Sequence, residues 1–284
     1  MITAETTEPY SAQDVLTDPG ALAYLYDGLP GDVPLLRNVV SELILHVAWA
    51  DSYGIGPKVP RIRDTQAVAE RLRLALAAHA GPLTAPRAPA QRSFGTCRDF
   101  ALLLCSMLRH RSVRARLRCG FATYFASPQY ADHWICEYWK RAEKRWAMAD
   151  AQLDQFHRGQ LGIDFDCADL PSGKFYNAGE AWMLARSGSV DPELFGQGDA
   201  RGLWFMRVDL VRDLLALNNQ EMSAWDTWRA ATEASKTLSE DDIALCDRIA
   251  SRTAQGGDER PSDLGELAST LQSPPWDRGR PARS

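Results

Sequence analysis

The chain has 284 residues, 45% of them hydrophobic, and carries 37 acidic against 32 basic side chains for a formal charge of −5 at pH 7. That is enough apolar material for one large or two small domains, and the slight acidic excess excludes the global basic field that draws nucleic acid. No run approaches the ~20 consecutive apolar residues of a membrane span, so neither nucleic acid nor a membrane is expected as a partner.

Met1 to Glu8 is acidic and lacks the charged and apolar regions of a secretory signal. Leu35 to Trp49 places apolar residues at Leu36, Val39, Val40, Leu43 and Ile44, the spacing of an amphipathic helix, with His46 expected to pack on it. A second helix is expected over Thr65 to Ala78 behind a capping Asp64, followed by a Pro/Ala loop from Pro82 to Pro89. Cys97 then opens a helix whose Phe100 to Leu108 stretch is apolar at nearly every position, the pattern of a helix buried on all sides. Arg109-His110-Arg111 closes it with cations that suit the negative end of the helix dipole.

Val113 to Phe125 alternates, with Val113, Ala115, Leu117, Cys119, Phe121 and Phe125 apolar, which predicts a strand with one buried face. Arg114, Arg116 and Arg118 fall on the other face, expected either to be solvated or to form a stripe for an anionic partner. Asp132 to Trp139 and Arg145 to Asp150 read as two further strands around a polar turn at Lys140 to Lys144, hence an antiparallel hairpin. A two-residue loop at Arg141-Ala142 would set His133 opposite Asp150, and a four-residue loop would shift the pairing by two. Both registers keep the two side chains on one face, whereas a one-residue slip separates them.

Phe156 to Phe175, rich in Asp, Gly and Pro, is expected to be a loop bordering the substrate cleft. Helices are expected at Asn177 to Ala185, Val208 to Leu217, Glu221 to Ala234 and Glu240 to Ala254, the last with Ser239 as N-cap and Asp242 at N3. Trp182, Trp204, Trp225 and Trp228 are assigned to packing in this half, and Gln255 onward reads as a mobile tail. There is no internal repeat.

The chemistry centres on Cys97. A thiol at a helix N-terminus gains thiolate character from the positive end of the dipole, and the thiolate is the nucleophile. His133 and Asp150 supply a base and a group to orient it, the residue types of a generalised catalytic triad. Cysteines at 97, 105, 119, 136, 167 and 246 show no C-x-x-C spacing, so reduced thiols in a cytoplasmic location are expected. His46, His79, His110, His133 and His157 are scattered without ligand spacing; no metal and no cofactor is expected.

Gly95-Thr96-Cys97 at a helix start, Asp132-His133-Trp134 on a strand and Trp146-Ala147-Met148-Ala149-Asp150 on the next resemble the transglutaminase-like superfamily of papain-like Cys-His-Asp enzymes. The resemblance covers roughly residues 90 to 155. It implies an α+β fold, with a central helix packed on an antiparallel sheet and helical extensions at both ends. Residues 1–89 would be the N-terminal helical part, 90–176 the catalytic core, 177–254 a C-terminal helical extension and 255–284 a flexible tail. It further implies Cys97 as nucleophile, His133 as base and Asp150 as orienter. Gln91, six positions before the cysteine, has a spacing similar to that of the oxyanion glutamine of papain-type proteases, beside the Cys97 backbone N–H.

Thiol-mediated acyl transfer or hydrolysis is the implied reaction, on a protein, peptide or carrier-bound acyl substrate. The alternatives are an acyltransferase making an amide from a carrier-bound thioester, and a non-catalytic binding protein retaining the fold. Ala151-Gln152 stands where a Pro or Thr often follows the aspartate of the better-known crosslinkers. The Arg-Gly-Gly that precedes the cysteine of arylamine N-acetyltransferases is absent.

Overall fold

In the computed structural model, residues 8–56, 65–220, 236–254 and 262–271 are described. Helices α1 (Val33–Leu43), α2 (Val68–Ala78) and α3 (Cys97–His110) alternate with two short strands, β1 (Ile44–His46) and β2 (Ser93–Gly95). Then come β3 (Ala115–Ala126), β4 (Gln129–Lys140) and β5 (Arg145–Ala149), followed by α4 (Gln155–Leu161), β6 (Phe175–Asn177) and α5 (Ala178–Arg186). Strands β7 (Phe195–Gln197) and β8 (Ala200–Arg201) precede α6 (Leu203–Leu217), α7 (Glu240–Thr253) and α8 (Leu264–Ser269). The α+β class is as expected.

Two compact units divide the chain, Met1–Leu117 with Trp134–Pro171, and Arg118–His133 with Ser172–Ser284. In the first unit α3 packs against α1, α2 and the parallel pair β1–β2, in which Ile44 lies opposite Ser93 and His46 opposite Gly95. Every residue of α3 from Arg98 to Arg109 is buried, as its continuous apolar run predicts. The β4–β5 hairpin pairs Cys136 with Ala149 and Lys140 with Arg145, leaving a four-residue loop. This is the register shifted by two residues. Asp150 follows directly on the last paired position.

In the second unit the strand order is β6, β3, β4, β7, β8. Strand β6 is antiparallel to β3, and a Cβ added at Gly120 would come within 2.2 Å of the Tyr176 carbonyl oxygen, so glycine permits that close approach. Strand β7 is parallel to β4, so the antiparallel sheet expected from the resemblance is mixed. Trp182 and Trp204 are buried as assigned. Trp225, Trp228 and the helix expected over Glu221 to Ala234 lie outside the described residues.

Several expectations are corrected. The first helix stops at Leu43 rather than Trp49, because Ile44 to His46 leave it to pair with β2. The segment from Phe156 is not all loop: Asp154 caps α4 by accepting the His157 N–H at 3.0 Å. Part of the expected tail, Leu264–Ser269, is helical with Leu264 fully buried. Residues 255–261 and 272–284 of that tail lie outside the described residues.

The largest correction concerns β3, which is buried on both faces from Ala115 to Ala122. Arg114, Arg116 and Arg118 are neither solvated nor a stripe for an anionic partner, their exposures being 9%, 2% and 1%. In the first unit, Arg116 Nε donates to Glu137 Oε2 at 2.7 Å and its guanidinium lies 4.0 Å from the Trp146 ring centre. Arg114 stacks over Trp139 and Trp146. Arg118, in the second unit, makes a bidentate pair with Asp213 at 2.9 and 2.8 Å and donates to the Thr253 carbonyl. Alternation of charge with apolar residues normally marks a wet face. Here each cation has a carboxylate or an aromatic face that replaces its water.

Candidate active site

Cys97 is the first residue of α3, directly after the strand-to-helix turn at Thr96, whose backbone is still extended at φ −111° and ψ 170°. Asp99, at N3, turns back so that its Oδ2 accepts the Thr96 N–H at 2.7 Å and the Thr96 hydroxyl at 3.2 Å. Glycine at 95 makes room for this, since a Cβ there would meet the Asp99 side chain at 3.0 Å and Ile44 at 2.8 Å. The Asp99 carboxylate is held from its other side by the Thr65 hydroxyl at 2.7 Å and by Arg71 at 3.0 Å. Arg71 also donates to Thr65 Oγ1 and to the Phe94 carbonyl, so one buried cation fastens α2, β2 and the start of α3 together.

No disulfide joins any of the six cysteines, all of which are among the described residues. Cys97 is part-exposed and the other five are buried. Burial pushes the Cys119 and Cys136 thiols well above their ordinary range, raises Cys167, and takes Cys246 up to about 12. Those four thiols are held protonated at neutral pH. Cys97 combines access with a helix N-terminus, the environment in which a thiolate forms and reacts.

Asp150 also belongs to the first unit and is 1% exposed. Its Oδ1 accepts the Gln152 N–H at 2.8 Å, and its own N–H donates to the Cys167 carbonyl at 2.9 Å. Arg37, on α1, reaches the carbonyls of Asp150 and Leu153 at 3.3 and 2.6 Å and clamps the turn that follows β5. Downstream, Asp154 accepts from His157 Nδ1 at 2.9 Å and from Arg92 at 2.8 Å, while the Tyr53 hydroxyl lies 3.0 Å from the same His157 nitrogen. Burial alone would raise the Asp154 carboxyl, but the bonds from His157, Tyr53 and Arg92 outweigh it and hold the group well below the usual carboxylate range.

This buried Asp154–His157 pair was not anticipated from the sequence. An Asp three residues before a His at a helix start was the available signal, obscured by the Gly and Asp content of the segment.

His133 is the last residue of the 118–133 segment of the second unit and is 1% exposed. Its ring packs edge-on against Phe125, 4.9 Å between centres, and against Tyr124 at 6.2 Å. The candidate residues thus fall in two units: Cys97, Asp150 and Gln91 in one, His133 in the other. Gln91 ends a short 3₁₀ turn, where its Oε1 accepts the Ala88 N–H at 3.0 Å and its Nε2 lies 3.2 Å from His79 Nδ1. Service as an oxyanion donor would require that amide to leave His79. His46, at the end of β1, accepts the Ala48 N–H on its Nδ1.

No family model and no curated protein matches the chain. Among solved structures, it is similar to a proposed cysteine protease from Cytophaga hutchinsonii, at 15% identity and TM-score 0.33 over 52% of this chain and 43% of that one. It is also similar to red sea bream transglutaminase, at 16% identity and TM-score 0.31 over 51% of this chain and 30% of that one. The chain therefore spans less than half the length of either structure. Among the described residues no helix is long and apolar enough to cross a membrane.

Proposed function

We propose that the chain is a transglutaminase-like cysteine enzyme with its catalytic core in residues 90–176, taking an acyl group from a protein or peptide amide onto Cys97. The observation that carries this reading is the contrast among the thiols: Cys97 is accessible at the first turn of a buried helix, while the other five are buried. In the reaction the Cys97 thiolate attacks the amide carbonyl, the C–N bond breaks, and the amine leaves with a proton returned by His133. Water then adds to the thioester, His133 takes its proton, and the acid departs as the thiol is restored.

Asp150 orients the imidazole in this scheme, and the Cys97 backbone N–H, with Gln91 if it turns from His79, meets the developing oxyanion. The roles of His133 and Asp150 are taken from their order and spacing in the sequence. No cofactor takes part. Reduced thiols throughout fit a cytoplasmic setting.

Brief iodoacetamide treatment near neutral pH with mass-spectrometric mapping tests the nucleophile. Preferential labelling of Cys97 is expected, and labelling of a buried cysteine with Cys97 untouched would reject the assignment. A reactive acyl donor should then trap the thioester, and partitioning it between water and added primary amines measures the acceptor. Free acid is the expected main product. Saturable transfer to one amine would identify a dedicated acyltransferase instead, and failure to trap any thioester would leave a binding protein.

A further inference from the structure

The second unit contains a second cluster of reactive groups, away from the proposed nucleophile in sequence and independent of the acyl-transfer reading. Cys119 on β3, Asp132 on β4 and Asp209 on α6 each point one ligand-type atom inward, and the thiol sulfur and two carboxylate oxygens lie within 4.8 Å of one another. Cys119 and Asp209 have no exposed surface, and the Asp132 side chain is 13% exposed. The Cys119 backbone is fixed by its N–H donating to Asp213 Oδ1 at 3.0 Å.

Arg212 faces both carboxylates of the cluster. Arg212 donates to Asp209 Oδ1 at 2.9 Å and stands 3.8 Å from Asp132 Oδ2. The neighbouring Arg118 is committed to the bidentate pair with Asp213. Independently, Asp209 Oδ2 is buried without any hydrogen-bond partner. A buried carboxylate oxygen in that condition is unfavourable by several kcal/mol unless a cation or donor meets it.

We propose that Cys119, Asp132 and Asp209 form a binding site for a divalent cation of the zinc class, with a fourth position for water. A cation there supplies the partner that Asp209 Oδ2 lacks. Thiolate as a ligand selects a borderline or soft ion and disfavours calcium and magnesium, which take all-oxygen shells. Tetrahedral bonds of ~2.3 Å to sulfur and ~2.1 Å to oxygen set the ligand atoms about 3.6 Å apart, so the observed spread closes with shifts of about an ångström. The Arg212 bond to Asp209 Oδ1 then orients a metal ligand from outside, as ligating carboxylates are usually held. Bound there, the ion ties β3, β4 and α6 to one another.

The full chain, stripped with chelator and dialysed, is titrated with Co²⁺ as the probe and then with Zn²⁺ as competitor. One equivalent of Co²⁺ should bind with a near-ultraviolet thiolate charge-transfer band that Zn²⁺ abolishes. Cys119→Ser should lose the band, and Asp132→Asn should weaken binding at least about tenfold, in samples whose circular dichroism matches the parent. X-ray absorption at the zinc edge of the unmutated protein, which needs no variant to fold, should find one sulfur with light atoms in the remaining shell. Absence of Co²⁺ binding overturns the proposal, as do a band that survives in Cys119→Ser and a zinc shell with no sulfur or more than one. Acyl transfer enters none of these readouts, so either reading can fail without the other.

Discussion

Cys97 and Cys119 carry the same side chain and meet opposite fates. Cys97 starts a helix of the first unit, part-exposed, and the Asp99 carboxylate two residues on is satisfied by Thr65, Thr96 and Arg71. Cys119 sits inside the second unit in the middle of a strand, without exposure, among carboxylates of which one oxygen has no hydrogen-bond partner. Access and a helix N-terminus are what the proposed nucleophile role of Cys97 rests on, whereas burial raises the Cys119 thiol, which a bound cation would have to displace from its proton. The surroundings of a thiol, more than its identity, decide whether it attacks or ligates.

The sharpest way to break this contrast is Cys97→Ala. We expect thioester formation to fall by ~10³-fold or more with the melting profile unchanged, and Cys119→Ser to leave Cys97 labelling intact. Persistent turnover in the alanine variant, measured with a reactive acyl donor, would erase the distinction between the two cysteines.

Next in size is the interior of the second unit. Arg118→Ala leaves Asp213 buried without its bidentate partner, and a loss of about 3–5 kcal/mol is expected from urea unfolding. An unchanged midpoint would mean that the carboxylate finds another partner and that the pair is not what holds the strand.

Asp150→Asn probes the first unit with a smaller chemical change. It should lower acyl-transfer rate by ~10²-fold while Arg37 keeps its bonds to the backbone carbonyls of Asp150 and Leu153, so that folding is preserved. Parent-like rates would remove Asp150 from the reaction.

The smallest effect is a pH dependence. Asp154 has a folded-state value held below that of the unfolded chain, so its contribution is complete above the usual Asp value of ~3.9 and is lost as pH falls through the lower folded value. Asp154→Asn should therefore be less stable than the parent at neutral pH, by about 1–3 kcal/mol. The gap should narrow below about pH 4, as urea midpoints at pH 7 and pH 3 would measure. A gap independent of pH would mean that the charge on Asp154 is not what the Arg92 and His157 bonds require.

Elements with a strong local signal were legible. The α3 run from Phe100 to Leu108 could bury only as a central helix, Ser239 and Asp242 capped α7 as read, and the helix expected from Asn177 is α5, with Asn177 as its cap rather than its first turn. The hairpin's turn composition allowed two in-face registers, and the longer loop is the one formed. Where a long-range partner overrides the local pattern, reading failed. Ile44 to His46 continue a helical periodicity yet pair with Ser93 to Gly95, and no local rule contains that strand. Arg114, just before β3, and Arg116 and Arg118 within it looked solvent-facing because their partners, Glu137, Trp146 and Asp213, come from other elements.

Sequence alone was sufficient for the position of Cys97 at the head of a buried helix and for the hairpin that Asp150 follows, because these come from periodicity, capping and turn composition within a few turns of chain, while the α+β class was what the resemblance implied. Tertiary structure decided the rest: which thiol is accessible, which cations are buried, and that Cys119, Asp132 and Asp209 converge although 77 positions separate the last two. The histidine spacing from which no metal was expected is a local signal, and ligands on two strands and a helix leave no such trace. Burial and charge pairing are properties of what packs against a residue, and that neighbour is set by the folded chain rather than by the adjacent sequence.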